Sequence, residues 1–591
     1  MMKTYSNQNI QEIPLSSPFF HAKVERFLEA NGLRMEALDS YYTLENTDGD
    51  ILAGAGLSRD VIKCIAVAPE ARSEGFTAPL ISHIFAVAAS KGITCLKVFT
   101  KPENTGIFES LGFHVLAQAP QAVLMENGRG LEQYCAALRA VRRPGRGGVV
   151  VMNANPFTLG HRYLLEEALR QVDVLYVIPV KEDLSRFSYA SRKAMIHSGA
   201  PEGVVLVDGS DYQISSTTFP TYFIKDLTDA APNQMRLDLD LFARHIAPAL
   251  GADVRFVGSE PSDPLTARYN ELMKAVLPLE VVEIPRLEKA GIGVVSASKV
   301  REALCEGSFS KAQNLCPRTT WPYLLGDLAH RALLLELETP CKPGLVCPGS
   351  HGAHRDMDFA LMKRALSALQ AFWPRMAQAC PVAELQQLGL AAEKAMLAET
   401  GGVNTHRGAI FSIGLVLHSF ACIMEAAENE GVEKFFLSET EGGDFDWPLL
   451  MSEIRKTARA MSRESVRHRE GVCGAREMAE GGYEPLFRDW LPQYKSFVKS
   501  SDNASYAELV EESRLQKTLL FIMSTLDDTC VIHRVGMERA REVKREAGAL
   551  LQNFSEAALE HMCEKYAAEG ISPGGSADML ALTIFIQSII N

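Results

Sequence analysis

Several features that mark specialised classes of protein are missing from this sequence of 591 residues. It has no long basic block and its net charge is −13, which argues against general nucleic-acid binding. The twelve cysteines are scattered and form no Cys-x-x-Cys pair, so neither a disulfide framework nor a zinc site is indicated. The first residues, MMKTYSNQNIQEIPL, lack the basic start and apolar run of a signal peptide. We therefore expect a reducing, cytoplasmic location.

Long apolar runs are also scarce. The most apolar helical stretch, Ala409–Met424, is shorter than the roughly 20 residues that a transmembrane helix needs, and it contains His418. It predicts a core helix, and no membrane partner is expected. The remaining composition, with 47% hydrophobic and 23% charged residues, is typical of a soluble globular enzyme. Because one hydrophobic core rarely organises a chain of this length, we expect three domains.

Two changes in composition give the domain boundaries. Arg142–Gly148 (RRPGRGG) reads as a linker, and β-rich runs largely end near Cys316–Pro322. The prediction is a multidomain chain: an α+β domain over 1–140, an α/β domain over 141–322 and an all-α domain over 323–591. The middle part alternates strand and helix, which predicts a Rossmann-like parallel sheet with ligands at the carboxyl ends of its strands.

A strand, a turn and a helix are predicted at the start of the middle domain. The stretch NANPFTLGH (153–161) follows the apolar run Gly148–Met152 and precedes the helical spacing of Arg162–Val172. The turn brings three side chains to the positive end of a helix, where backbone N–H groups bind phosphate: Asn155, Thr158 and His161. Helix capping is the structural alternative.

A second phosphate-binding stretch, SASKVR (296–301), lies far downstream. It has two hydroxyls and two cations before a short helix, which suits the β- and γ-phosphates of a nucleoside triphosphate. Its candidate residues are Ser296, Ser298, Lys299 and Arg301. Together the two stretches predict nucleotidyl transfer.

Further strings carry a family resemblance over roughly residues 1–325. NANPFTLGHRYLLEEAL, SRFSYASRK, YQISSTTFPTYFIKD, LDLDLFARHIAPAL, RFVGSEPSDPLTARYN and SASKVRE, in this order, resemble the citrate lyase ligase family. The resemblance implies that ATP and acetate form an acetyl-adenylate with release of pyrophosphate. The prosthetic-group thiol of the citrate lyase acyl carrier protein then takes the acetyl group and AMP leaves.

The resemblance also implies roles for individual residues. In the wider superfamily this motif is His-x-Gly-His, and here Thr158 replaces the first histidine, so His161 alone serves the α-phosphate. Asn155 and Thr158 would be neutral donors beside it. Arg192 and Lys193 are additional candidates, and a solvated helix face is their alternative. The strand-end residues Gly258 and Glu260 would contact the nucleotide. The segment 212–223 would line an acetate or thiol pocket, or form a structural turn.

The first 140 residues resemble the GNAT acyltransferase fold. Arg72 and Gly75 fit its pyrophosphate loop, but Thr77 stands where a second small residue is usual, and Phe108 replaces the usual tyrosine. We therefore expect a GNAT-like domain that has lost acetyl transfer and positions a partner or a pantetheine arm. A purely structural domain is the alternative.

Three polar loops interrupt the helical carboxy-terminal part, at 341–358, 400–414 and 572–578. They suit a polyphosphate through backbone donors and cationic side chains, with candidates Lys342, His351, His354, Asn404, His406 and Arg407. Asp356 and Asp358 suit a magnesium ion that bridges phosphate oxygens. Capping of the helix from Phe359 is the alternative for Asp358.

These loops resemble the triphosphoribosyl-dephospho-coenzyme A synthase family over roughly 325–591, through KPGLV, HRDMD, GVNTHRGA and SPGGSAD. The resemblance implies transfer of triphosphoribose from ATP to 3'-dephospho-coenzyme A with release of adenine, through an oxocarbenium-like transition state. His354, Asp356 and Asp358 would act in catalysis, with Mg²⁺ on Asp356, Asp358 and Asp528. One carboxylate would position magnesium on the triphosphate, one would take the proton of the attacking hydroxyl and one would help adenine leave. The candidate carboxylates are Asp356, Asp358, Glu393, Asp527, Asp528 and Asp578, and the alternative for the 527–528 pair is an acidic helix end.

The two resemblances predict a fusion that performs two maturation steps for citrate lyase. One alternative is an adenylyltransferase of coenzyme biosynthesis fused to a nucleotide-binding helical domain, which would ignore acetate. The other is a non-catalytic docking scaffold for an acyl carrier protein.

Overall fold

The computed structural model describes residues 10–181, 185–214, 219–224, 227–260, 263–429, 447–462, 474–497 and 512–590. Contacts divide the chain into two compact units. The first contains 1–155 and 160–294, and the second contains 156–159 and 295–591. The three predicted domains, 1–140, 141–322 and 323–591, stay a prediction.

The first unit begins with a seven-stranded mixed sheet in the order β1-β2-β3-β4-β5-β7-β6. Most neighbours are antiparallel, whereas β4 and β5 are parallel and pair through Val61–Lys97 and Ile62–Val98. The strands are β1 Gln11–Ile13, β2 Ser40–Glu45, β3 Ile51–Ser58, β4 Val61–Val67, β5 Lys97–Thr100, β6 His114–Gln118 and β7 Val123–Glu126, with helices α1 Pro18–Ala30, α2 Thr77–Ser90, α3 Thr105–Ser110 and α4 Gly130–Ala140.

A five-stranded sheet follows in the same unit, in the order β10-β9-β8-β11-β12. All its described pairs are parallel, as the alternation of strand and helix predicts. The elements are β8 Gly147–Met152, α5 Leu159–Leu169, β9 Val174–Pro179, α6 Tyr189–Gly199, β10 Val204–Leu206, α7 Ala230–Leu241, α8 Ala247–Leu250, β11 Ala252–Gly258, α9 Pro264–Val276 and β12 Glu280–Ile284, then the short pair β13 Glu288–Lys289 and β14 Gly293–Val294. The strand order reverses between β8 and β11, and such a reversal opens a ligand crevice at the carboxyl ends of the strands.

The second unit is helical, which confirms the predicted class of this region. Its helices are α10 Ala297–Cys305, α11 Phe309–Gln313, α12 Trp321–Glu338, α13 Phe359–Leu369, α14 Trp373–Met376, α15 Val382–Glu399, α16 Arg407–Asn429, α17 Trp447–Ser462, α18 Ala475–Glu480, α19 Leu491–Ser496, α20 Glu512–Thr525, α21 Thr529–Gln552, α22 Glu556–Glu569 and α23 Gly574–Ile590.

Helix α16 contains the predicted core stretch but is longer than expected, at 23 residues. It is the one described helix with the length and composition of a membrane span, and 72% of its most apolar window is buried inside the protein. His418 on this helix is 2% exposed and its Nε2 lies 2.8 Å from the Cys380 carbonyl oxygen. Partnered burial of this kind is typical of a helix packed in a protein core.

Candidate active sites

The stretch NANPFTLGH forms the turn between β8 and α5, in the predicted order. Ala154 has a φ of +49° and is 1% exposed. A left-handed conformation at a residue with a side chain costs roughly 1–2 kcal/mol, and such strain is concentrated at functional sites. Thr158 is 1% exposed directly before α5, and His161 lies in the first turn of that helix.

Hydrogen bonds tie part of this turn to the second unit. The Thr320 hydroxyl donates to the Phe157 carbonyl at 3.0 Å, and the Leu159 N–H donates to the Leu315 carbonyl at 2.9 Å. Thr158 therefore shares a unit with the SASKVR stretch, whereas Asn155 and His161 belong to the first unit.

Arg192 fastens the beginning of the turn in the first unit. It is fully buried, and its Nη1 donates to the Asn153 side chain at 2.6 Å and to the Asn153 and Val180 carbonyls, both at 2.8 Å. Nearby, the Phe187 N–H donates to Asn155 Oδ1 at 3.2 Å. Arg192 does not lie on a solvated helix face, because it is fully buried. It does not bind phosphate either, because its guanidinium donates to carbonyl groups of the protein.

Other predicted side chains of the first unit form ion pairs. Lys193 pairs with Asp208, and Glu260 pairs with Arg286. The Gly258 carbonyl accepts a hydrogen bond from a neighbouring helix at 3.0 Å. Nucleotide binding by Gly258 and Glu260 stays a prediction.

Residues of the first sheet and of the chain before β2 contact the polar and aromatic segment that follows residue 211. Arg34 donates to the Thr221 carbonyl at 2.6 Å, Glu36 accepts the Thr221 N–H at 2.6 Å, and the Tyr222 hydroxyl donates to the Phe99 carbonyl at 3.2 Å. Residues 215–218 of this predicted pocket segment lie outside the described residues. The contacts suggest that the first sheet positions this segment.

Three residues bear on the resemblance of the first 140 residues to the GNAT acyltransferase fold. Thr77 is the first residue of α2, and Arg72 is exposed in the turn before Gly75. Phe108 is 5% exposed and packs edge-to-face on Phe113 at 5.8 Å between ring centroids. A buried ring without a hydroxyl cannot donate a proton, so loss of acetyl transfer stays the prediction for this domain.

A cleft of about 970 Å³ lies at the strand ends of the parallel sheet in the first unit. Its lining comes from β8, β9 and β11, from the segment around Gln213, and from α7 and α9. Asn153, which begins the predicted phosphate turn, is one of the lining residues. This is the ligand crevice that the strand order predicts.

The SASKVR stretch begins α10 in the second unit. Ser296 is the N-cap and accepts the Lys299 N–H at 3.3 Å, and Arg301 Nη2 donates to the Ser298 hydroxyl at 3.1 Å. The geometry places its hydroxyls and cations at a helix N-terminus, where anions are stabilised.

The three polar loops of the second unit converge on one cleft of about 1070 Å³. The predicted residues that line it are Lys342, His354, Asp356, Asn404, His406, Arg407 and Asp578. Sequence reasoning missed Glu336 and Arg534, which also line it, because both lie on helices outside the three polar loops. His351, Asp358 and Asp528 are not among its lining residues.

Two glycines allow the loops to approach each other. Gly344 has a φ of +69°, and a Cβ there would overlap the Ile571 carbonyl oxygen. A Cβ at Gly408 would overlap the Asp578 carboxylate in the same way. The glycines of KPGLV and THRGA are therefore required by contacts with the third loop.

His354 connects the first and third loops. Its Nε2 lies 2.8 Å from the Ser572 hydroxyl, Arg534 Nη2 lies 3.3 Å from its Nδ1, and Asp356 lies 3.7 Å from the same nitrogen. Burial and the Arg534 charge lower the pKa of His354, and Asp356 opposes them. Because Arg534 can only donate, the hydrogen-bond network assigns the His354 proton to Nε2.

The second loop contributes one neutral and one charged side chain. Burial, followed by Lys342 and His330, lowers the pKa of His406 to about 3, so this ring is neutral at physiological pH. Arg407 is exposed and pairs with Glu393, while the Asn404 side chain accepts the Arg407 N–H at 3.2 Å. Arg407 is therefore the cation that this loop offers to a phosphate.

One acidic residue of the cleft, Asp578, is placed unfavourably for ionisation. Burial, then Glu336 and Asp528, raises the pKa of Asp578 well above its usual value. Glu336 forms a buried ion pair with Lys342, which is 2% exposed. A carboxyl group with a raised pKa in a cleft is a candidate for proton transfer.

The carboxylates predicted to bind magnesium have other partners. Asp358 caps α13 through the Leu361 N–H at 2.7 Å. Asp528 caps α21 and accepts the Ser576 N–H at 2.7 Å and the Ser576 hydroxyl at 2.8 Å. Among the described residues, no group of three or more His, Cys, Asp or Glu side chains is arranged to hold a metal ion.

Comparisons with known proteins divide the chain in the same way as its motifs. Residues 147–324 match the family model of the citrate lyase ligase C-terminal domain, and residues 322–591 match that of the ATP:dephospho-CoA triphosphoribosyl transferase. A [citrate [pro-3S]-lyase] ligase of Klebsiella pneumoniae is 41% identical over 314 residues, which cover 51% of this chain and 92% of that protein. A probable 2-(5''-triphosphoribosyl)-3'-dephosphocoenzyme-A synthase of Azotobacter vinelandii is 36% identical over 291 residues, covering 46% and 94%.

A solved structure assigned as an acyl-CoA N-acyltransferase of Klebsiella pneumoniae subsp. pneumoniae MGH 78578 is 16% identical to part of the chain. The match covers 20% of this chain and 96% of that one, with a TM-score of 0.17.

The fold and its clefts define an ATP-using enzyme with one candidate active site in the α/β region and one in the helical region. The chain belongs to the citrate lyase ligase family over its first half and to the triphosphoribosyl-dephospho-coenzyme A synthase family over its second half, and is a fusion of the two.

Proposed function

We propose that the chain performs two steps in the maturation of citrate lyase, in the cytoplasm. The helical region transfers triphosphoribose from ATP to 3'-dephospho-coenzyme A and releases adenine. The α/β region acetylates the prosthetic-group thiol of the citrate lyase acyl carrier protein from ATP and acetate. The observation that carries the proposal is that each half covers more than nine tenths of a relative of one family.

In the ligase reaction, an acetate oxygen attacks the α-phosphorus of ATP and pyrophosphate leaves. His161 in the first turn of α5 supports the charge that develops on the α-phosphate, with Asn155 and Thr158 as neutral donors. Ser296, Ser298, Lys299 and Arg301, at the start of α10, bind the β- and γ-phosphates.

In the synthase reaction, the anomeric carbon of the ATP ribose gains positive charge as adenine leaves. Arg407 and Arg534 bind the triphosphate, with Lys342 placed deeper in the cleft. Asp578, which its raised pKa keeps protonated, gives its proton to the adenine as it leaves. Asp356, beside His354 in the cleft, accepts the proton of the attacking hydroxyl.

The carboxylates predicted for magnesium do not fit a site built by the protein. Asp358 and Asp528 serve as helix caps, which leaves Asp356 as the only one of the three in the cleft lining. Mg²⁺ bound to a nucleotide triphosphate often keeps several waters and uses only one or two carboxylates. Magnesium therefore stays a prediction, and no step is assigned to it.

Two assays on one preparation test the proposal. With ATP, Mg²⁺ and 3'-dephospho-coenzyme A we expect free adenine and an adduct heavier by a triphosphoribosyl group. With ATP, acetate and thiol-form citrate lyase we expect acetyl thioester and AMP. His161→Ala should remove only the second activity and Asp578→Asn only the first. Thiol acetylation that persists in His161→Ala would contradict the ligase assignment, and failure to form adenine in the wild type would contradict the synthase assignment.

A further inference from the structure

A buried guanidinium lies in the strand-end cleft of the first unit. Arg255, on β11, is 4% exposed, and its Nε has no hydrogen-bond partner among the described residues. Its guanidinium carbon lies 4.2 Å from the ring centroid of Phe242. A buried cation is expensive unless an anion compensates it, so a donor held in this state at the wall of a cleft points to an anionic ligand.

Asp238, an acidic side chain whose charge interacts with that of Arg255, does not satisfy this donor. Asp238 accepts the Ile214 N–H at 3.0 Å and the Tyr269 hydroxyl, and it also lines the cleft. Desolvation raises the pKa of Asp238, and the charge of Arg255 is the first of the effects that oppose it. Asp238 thus orients the site through Tyr269 and Ile214, while Arg255 keeps an unused donor.

The cleft favours a carboxylate over a polyphosphate. Arg255 is the only lysine or arginine among its described lining residues, and Asp238 would repel a multiply charged ligand. The one unpartnered N–H of this guanidinium matches one oxygen of a carboxylate, to which it gives a charge-assisted hydrogen bond. Apolar side chains adjoin it and suit a short alkyl group: Val151, Ile178, Phe242, Ile246 and Leu265.

The position of the cleft suits an acid that reacts with a nucleotide. It opens at the carboxyl ends of β8 and β9, and Asn153, at its wall, begins the turn that leads to His161. A carboxylate bound here lies in the same unit as the helix start to which the α-phosphate is assigned.

We propose that Arg255 binds the carboxylate of the acid substrate, acetate, and this rests on the ligase function proposed above. Arg255 holds one acetate oxygen, and the other attacks the α-phosphorus of ATP. A new P–O bond forms as the bond to the pyrophosphate oxygen breaks, and its electron pair leaves with pyrophosphate. No proton is transferred in this step.

The test is acetate-dependent exchange of labelled pyrophosphate into ATP by the full chain. We expect Arg255→Met to raise the KM for acetate at least tenfold and to change the KM for ATP less than twofold. Arg255→Lys, which keeps the charge, should recover part of the acetate affinity. The matched control is Arg244→Met, because Arg244 is an exposed arginine paired with Asp240, and it should behave as the wild type.

Three outcomes would overturn the assignment. The first is an acetate KM of Arg255→Met within twofold of the wild type, and the second is a larger change in its KM for ATP than for acetate. The third is a loss of exchange that saturating acetate does not restore, in Arg255→Met and Arg255→Lys proteins that keep native circular dichroism. Absence of acetate-dependent exchange in the wild type would refute the ligase function itself, which is a distinguishable result.

Discussion

The buried pair Lys342–Glu336 allows a quantitative prediction for the helical region. The Lys342 side chain is 1% exposed and that of Glu336 is 6% exposed, and Lys342 Nζ also donates to the Glu336 carbonyl at 2.7 Å. Lys342→Met removes the cation and leaves the carboxylate buried near Asp578, another acid. Breaking a buried pair in this way costs about 3–5 kcal/mol.

Urea unfolding followed by far-UV circular dichroism, to which the helical region contributes most, measures this change. With an m-value near 3 kcal/mol/M, the midpoint should fall by roughly 1–2 M. The double variant Lys342→Met/Glu336→Leu should recover most of the stability, because it removes both charges.

Helix α12, which carries Glu336, also offers a matched control. Lys363 and Glu338 form a pair at 3.1 Å, but their side chains are 52% and 39% exposed. Lys363→Met should therefore cost about 1 kcal/mol or less. The reasoning is refuted if Lys342→Met costs no more than Lys363→Met, or if the double variant is as unstable as the sum of its single variants.

Three further changes test other parts of the structure. Because the pKa of Asp578 is raised, the folded chain keeps a proton there that the unfolded chain releases above pH of about 4. The stability of the wild type therefore falls as the pH rises. In Asp578→Asn, urea midpoints measured from pH 5 to 8 should no longer fall with pH, and adenine release should disappear. Gly408→Ala places a methyl group on the Asp578 carboxylate and should lower adenine release at least tenfold, with thiol acetylation as the internal control. Arg34→Met removes the hydrogen bond to Thr221 and should raise the ligase KM for the acyl carrier protein or acetate several-fold, with adenine release unchanged.

Much of the secondary structure could be predicted because local patterns determine it. The apolar run at 174–180 becomes β9, and helical spacing over 382–400 becomes α15, each within one residue of its predicted end. Capping of α13 by Asp358 could also be predicted, because its carboxylate accepts the N–H of a residue only three positions later. Helix α21 was not predicted, because its many charged residues leave a narrow apolar stripe.

The composition of the sites could be predicted only in part, because it depends on contacts between distant residues. Gly408 and Asp578 are 170 positions apart, and nothing local indicates that they touch. Arg192 illustrates the same limit, since an exposed and a fully buried arginine look alike in one sequence. Arg255 lies inside a β-strand pattern, where a charge suggests an edge or a surface and not the wall of a cleft.

The charges of the synthase cleft explain why its acids are retained at a cost to stability. Glu336 is buried and its charge helps to raise the pKa of Asp578, whereas Arg407 lies exposed at the same cleft. Asp578 keeps a proton that the departing adenine can take, and cations stabilise the triphosphate that stays attached to the anomeric carbon. Replacement of Asp578 by an apolar residue would stabilise the fold and remove this proton donor, so the raised pKa of Asp578 follows from the chemistry.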